Sequence, residues 1–220
     1  MAVKLLISGT SNSGKTTLLS SLTDAFVVYH DGKSYPFPMP HTNIATFSTS
    51  AEFIKTVTEK LQAYKAKFGK LPATVAIDSV SKIFDTLADS CATKYTGFNV
   101  FSNLNKEIHE ITDYVQNVLI ANGMNVVLIS HAIYDPETTN YNLIGKGDFS
   151  KRGGFLAETD FSCFLETKNN KRIVHHKSTK FPARSLLADV PDSEPVEAFN
   201  LQAYIDKLST VHDSVTEFEL

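Results

Sequence analysis

Residues 3–22 read Val3-Lys-Leu-Leu-Ile-Ser8-Gly9-Thr-Ser-Asn-Ser-Gly14-Lys15-Thr16-Thr17-Leu-Leu-Ser-Ser-Leu22, and this stretch decides the fold. Val3 to Ser8 is a short, nearly continuous apolar run, the pattern of a parallel strand buried on both faces. Lys15 to Leu22 reads as a helix. Between them, Gly9 to Thr16 matches G-x-x-x-x-G-K-[ST] at every position. Its glycines let the backbone curl until N–H groups point inward at phosphate oxygens. The start of the following helix adds a favourable dipole. Gly9, Thr10, Ser11, Asn12, Ser13, Gly14, Lys15, Thr16 and Thr17 are therefore expected to hold the phosphates of a nucleotide. Lys15 reaches the outer phosphates and the Thr16 hydroxyl ligates magnesium.

Working outward, Ala25 to Tyr29, Thr74 to Asp78 and Asn125 to Ser130 repeat the short apolar pattern and read as three further strands. Helices are expected from a Thr49 or Ser50 cap to Phe68, with Glu52 in the first turn and Gly69 as the stop. Two more are expected over Val80–Lys94 and Asn103–Ala121. Strands alternating with helices predict an α/β fold with a mostly parallel sheet covered on both faces. Tyr35 to His41 carries three prolines and reads as a surface loop. Tyr134 to Gly154 is polar and glycine-rich and reads as a long loop without regular structure. Asp160–Thr167 and Arg172–Ser178 form a hairpin through Lys168-Asn-Asn-Lys171, and Phe199–Leu208 a last helix. The expected division is a core over 1–190 and a C-terminal helical extension and tail over 191–220.

Apolar residues make up 42% of the chain, enough for a real core, and the net charge of -3 carries no global basic signature of a nucleic-acid binder. A local basic patch remains compatible with that balance. Cys91 and Cys163 stand too far apart for a metal motif and read as reduced thiols, and His175-His176 lacks the partners of a zinc site. No run approaches the roughly 18 apolar residues of a membrane span. The short strand leading into the glycine loop is not a signal peptide, so a soluble, cytoplasmic protein is expected.

Four further residues carry candidate chemistry. Asp78 closes a buried strand, where α/β sheets place their sites, and would complete the magnesium shell. Asp31, at the end of the second strand, is the candidate for activating water, with His30 the weaker choice. His131 follows the fourth strand and would sense the outer phosphate, passing the change into the next loop.

Gly9 to Thr16, Ile77-Asp78-Ser79 and Val127-Leu-Ile-Ser-His131 together resemble the RecA-type core ATPases. Within them the chain looks most similar to small bacteriophage ATPases that include single-strand-annealing, recombinase-like proteins. The resemblance extends through Gly145–Gly154 and the hairpin ending Lys177-Ser-Thr-Lys180-Phe-Pro-Ala-Arg184. It implies a RecA-like P-loop core with a C-terminal hairpin, ATP with magnesium as ligand, and Asp31 as the hydrolytic acid. It also implies a ring or filament with nucleotide at subunit interfaces, where Lys180 and Arg184 reach a neighbour's phosphates. Single-stranded DNA would lie on Lys146, Lys151 and Arg152, with Phe149 and Phe155 placed to stack on bases or to anchor the loop. A replication or recombination protein is a further implied partner.

Two other functions fit the same motif: a nucleotide-dependent assembly or loader protein, and a P-loop small-molecule kinase. Only Arg152, Arg172 and Arg184 occur, so no arginine-rich kinase lid is visible. Thr167-Lys-Asn-Asn170 is not the Asn-Lys-x-Asp pattern of GTP binders, which favours ATP.

Overall fold

The computed structural model describes residues 1–30, 35–185 and 187–214. In chain order it contains β1 (Lys4–Gly9), α1 (Lys15–Leu18, continued by a 3-10 turn over Leu19–Ser21), β2 (Ala25–Tyr29), β3 (His41–Asn43), α2 (Ser50–Phe68), β4 (Thr74–Asp78), α3 (Val80–Lys94) and α4 (Phe98–Tyr114). There follow β5 (Asn125–Asp135), β6 (Asn140–Leu143), α5 (Gly147–Lys151), α6 (Gly154–Glu158), β7 (Phe161–Lys168), β8 (Lys171–His175), β9 (Ser193–Pro195) and α7 (Leu201–Ser214). The sheet order is β3-β2-β4-β5-β1-β7-β8-β9, with β6 paired to β5 outside that path. All pairings from β3 to β7 are parallel, and β7–β8, β8–β9 and β5–β6 are antiparallel. This is the expected mostly parallel α/β sheet.

Strand periodicity builds two separate cores. Leu6, Val75, Ile77, Val126 and Leu128 face α2, α3 and α4, meeting Phe53, Val57, Ile83, Phe84 and Ile108. Their sequence neighbours Leu5, Ile7, Ala76, Val127 and Ile129 face the other way, meeting Leu18 and Leu19 and then Leu201, Ile205 and Leu208 of α7. Central strands are apolar at most positions because both faces are covered. Each such side chain contributes about 1.5–3 kcal/mol on burial. An exposed ion pair such as Lys55–Glu59, 4.0 Å apart, contributes about 0–1 kcal/mol. Apolar faces therefore hold the helices in place.

Local signals set the helix ends. The Thr49 hydroxyl accepts from the Glu52 N–H, and the Glu52 carboxylate accepts from the Ser48 N–H at 2.6 Å. Gly69 ends α2 in the left-handed region (φ 79°) with its N–H on the Lys65 carbonyl. At the far edge, the fully buried His176 lies 2.8 Å from Glu194 and 3.4 Å from the Cys163 sulfur, tying β9 to the face beneath α7. Burial pushes the Cys163 thiol up to about 12, so it stays protonated and inert. Cys91 and Cys163 are both free and buried. Among the described residues no helix is long and apolar enough to cross a membrane.

Three expectations are corrected. Helix α4 begins at Phe98, five residues before the expected start, and finishes in π and 3-10 turns over 115–122. Strand β5 runs five residues past Ser130. The segment 134–154 is ordered as the end of β5, β6 and α5. Phe149 and Phe155 explain the last point: they pack against Phe84 with ring centroids 5.5 Å and 4.9 Å away, and both are buried. They anchor the segment to the core and are not displayed for base stacking. Phe155→Ala should accordingly lower the unfolding free energy by about 3–5 kcal/mol in a denaturant titration. A loss below about 0.5 kcal/mol, the range of an exposed side chain, would contradict this packing.

Candidate nucleotide site

Strand β1 delivers Gly9 to the carboxyl edge of the sheet, and the chain curls through Thr10–Gly14 into α1. Gly9 has to be glycine because a Cβ there would sit 2.6 Å from the Leu165 carbonyl and 2.7 Å from the Ser13 hydroxyl. Gly14 (φ 96°) turns the loop into the helix in a conformation that side chains rarely adopt. The Lys15 ammonium bends back into the arc and donates to the Gly9 and Thr10 carbonyls at 3.0 and 2.7 Å. The Ser13 hydroxyl is buried with no hydrogen-bond partner among the described residues. It lies against Gly9 and is not among the residues that line the cleft.

Across the cleft, Asp78 shares a strand face with Ala76, the face on which α1 packs. That parity brings its carboxylate under α1, where it accepts from the Thr16 hydroxyl at 2.6 Å. The Asp78–Ser79 peptide is cis, and the Ser79 hydroxyl accepts from the Lys82 N–H to start α3. His131 pairs in register with Gly9, and its N–H donates to Ser81 at 3.3 Å. Ser11, Asn12, Gly14, Lys15, Thr16, Thr17, Asp78, Ser79 and His131 line a cleft of about 590 Å³.

Lys82 and Arg172 line the same cleft, and the motif reading passed over both. Lys82 was within reach of sequence reasoning, since it lies one helical turn past Asp78. Arg172 was signalled only by following a hairpin turn whose first strand borders β1. His30 is committed elsewhere: its ring nitrogens lie 2.6 Å from the Ile44 carbonyl and 2.8 Å from the Thr86 hydroxyl. Asp31 lies outside the described residues.

The remaining candidates do not line this cleft. Lys180 is exposed, its ammonium 5.5 Å from the Phe181 ring centre, and lines a second cleft with Tyr141 and Leu156. Arg184 donates to the Leu156 carbonyl at 3.1 Å and to the Thr159 carbonyl, securing the end of α6. Lys146 pairs with Asp85 of α3 at 2.9 Å, and Lys151 with Asp148 at 3.6 Å. Arg152 is exposed at the end of α5.

The electrostatics fit a polyphosphate. At the phosphate end two cations, Lys15 and Lys82, face one carboxylate, Asp78, while Arg172 lines the opposite flank of the cleft. Burial brings the Lys15 ammonium down to about 8, with the Asp78 charge opposing part of that shift. A bound phosphate favours the charged form and raises this value, so binding above pH 8 requires proton uptake. ADP affinity should therefore be level below about pH 8 and fall by up to about tenfold per pH unit above it, measured by calorimetry. A flat profile through that range would contradict the depressed lysine.

The sequence matches the family model described as AAA domain over residues 1–184. No curated protein matches the chain. The matched span contains β1 and its phosphate loop, Asp78, His131 and Arg172. With that match and this loop, lysine and acid in place, the chain belongs to the AAA domain family of nucleotide-binding ATPases.

Proposed function

We propose that the protein is a magnesium-dependent ATPase of RecA-like type whose turnover is coupled to single-stranded DNA, in recombination, annealing or replication of a bacteriophage. The observation that carries the reading is the 2.6 Å contact between Thr16 and Asp78 beside the buried Lys15. Two hard oxygen donors side by side suit Mg²⁺, which keeps waters and phosphate oxygens for the rest of its shell. Thr16 and Asp78 would hold the ion, whose role is to neutralise charge on the phosphates. Lys15 binds and orients the outer phosphates. His131, level with Gly9, is the sensor, and Asp31 the acid that positions water.

Two connections support coupling to DNA. Strand β5 continues from His131 into the β5–β6 hairpin and on to the segment bearing Lys146, Lys151 and Arg152. The Lys146–Asp85 pair ties that segment to α3, the helix that starts beside Asp78. The Lys151–Asp148 pair is solvent-exposed and so contributes about 0–1 kcal/mol, little enough for a DNA phosphate to replace it. In the proposed ring or filament, Lys180 is the better group to reach a neighbour's nucleotide, because Arg184 is engaged with the end of α6.

Steady-state hydrolysis at low salt should rise several-fold on adding single-stranded DNA, and Lys151→Ala/Arg152→Ala should abolish the rise while sparing basal turnover. Hydrolysis indifferent to DNA would contradict the reading. It would favour instead a nucleotide-dependent assembly protein, for which Phe98 and Phe101, 81% and 59% exposed on α4, offer an apolar contact.

A further inference from the structure

We propose that Arg172 clamps the nucleobase of the bound nucleotide by laying its guanidinium plane against the base. The inference rests on the nucleotide reading above and adds the group that holds the end remote from the reacting phosphate.

The cleft has two flanks. Asp78 on β4 and His131 on β5 occupy one, and the Thr16–Asp78 contact marks it as the side of the metal and outer phosphates. A nucleotide gripped there by Lys15 and Thr16 directs its sugar and base to the opposite flank, beyond β1, where β7 and β8 lie. Gly9 is level with Leu165 of β7, and Thr167, two residues further on, is level with Arg172. The β7–β8 hairpin thus extends past the end of β1, and Arg172 stands beside the phosphate loop.

The local geometry presents a flat surface. A Cβ built on Gly14 would lie 3.4 Å from Nη1 of Arg172 and 3.6 Å from both its Cζ and its Cδ. Three atoms of one side chain at nearly one distance mean that it lies broadside over the bare backbone of Gly14. The same side chain lines the cleft. Its guanidinium makes no ion pair or hydrogen bond among the described residues, whereas that of Arg184 is bonded to two carbonyls. Among the lining residues His131 is the only aromatic, and it sits on the phosphate flank. Arg172 is therefore the planar group available to a base. Guanidinium is weakly hydrated and stacks on aromatic faces, which a lysine ammonium cannot do.

The test compares ATP, ADP and inorganic tripolyphosphate, each with Mg²⁺, by calorimetry on the wild type, Arg172→Ala and Arg172→Lys. Arg172 is exposed, so neither change threatens the fold. The expected result is an equal loss of about tenfold for ATP and ADP in Arg172→Ala, unchanged tripolyphosphate binding, and little recovery in Arg172→Lys. Equal weakening of tripolyphosphate, or full recovery with lysine, would show a phosphate contact and overturn the proposal. Unchanged ATP binding in Arg172→Ala would overturn it while leaving the nucleotide site intact. A wild type that binds neither ATP nor ADP would overturn the underlying reading itself.

Discussion

The hydrogen bond from the Thr16 hydroxyl to the Asp78 carboxylate joins α1, the helix that follows β1, to β4, a strand that does not touch β1, and the site depends on it. Strand β5 lies between β1 and β4, so the phosphate loop and its acid are separated by two strand spacings, about 10 Å. Only register and parity bring them together. Ile7, Ile129 and Asp78 are level across the three strands. A slip of one residue in β4 would turn Asp78 toward α2 and α3 and bring Ile77 under α1. The two cores forbid such a slip, because Val75 and Ile77 fill one and Ala76 the other. The fold's apolar packing is thus what sets the distance between a hydroxyl and a carboxylate.

Around that bond the charge is unbalanced on purpose. Lys15 is held in the loop by two carbonyls, and Lys82 extends the positive field along the Asp78 flank of the cleft. Low-dielectric walls focus such a field on an incoming polyphosphate. The depressed ammonium of Lys15 has a local cause, since burial disfavours its charge more than the Asp78 carboxylate favours it. Beyond the cleft, β5 and its hairpin run from His131 toward the segment bearing Lys146, Lys151 and Arg152.

Much of this was legible in the chain because central strands leave a plain mark. β2, β4 and α3 fall on the residues their patterns predict, and the Thr49/Glu52 and Gly69 signals bound α2 correctly. The phosphate loop was legible because its chemistry demands fixed residue types. What escaped lacked a local signal. Gly97 starts α4 without a side-chain cap, so its first turn resembles loop. Asn140-Tyr-Asn-Leu143 pairs with β5 at the sheet's margin, where burial does not enforce an apolar pattern. Phe149 and Phe155 sit among glycines and charges, and only the distant Phe84 makes core residues of them. Arg172 belongs to the site through strand order, which no short window of sequence contains.

The central claim is that Thr16 and Asp78 act as one unit in holding the metal-bound nucleotide. A double-mutant cycle on Thr16→Val and Asp78→Asn tests it, reading the gain in ATP affinity on adding Mg²⁺. The account predicts that each single change removes most of that gain and that the double variant loses no more than either, as expected of residues serving one function. Losses that simply add, or a magnesium gain that survives in Asp78→Asn, would contradict it.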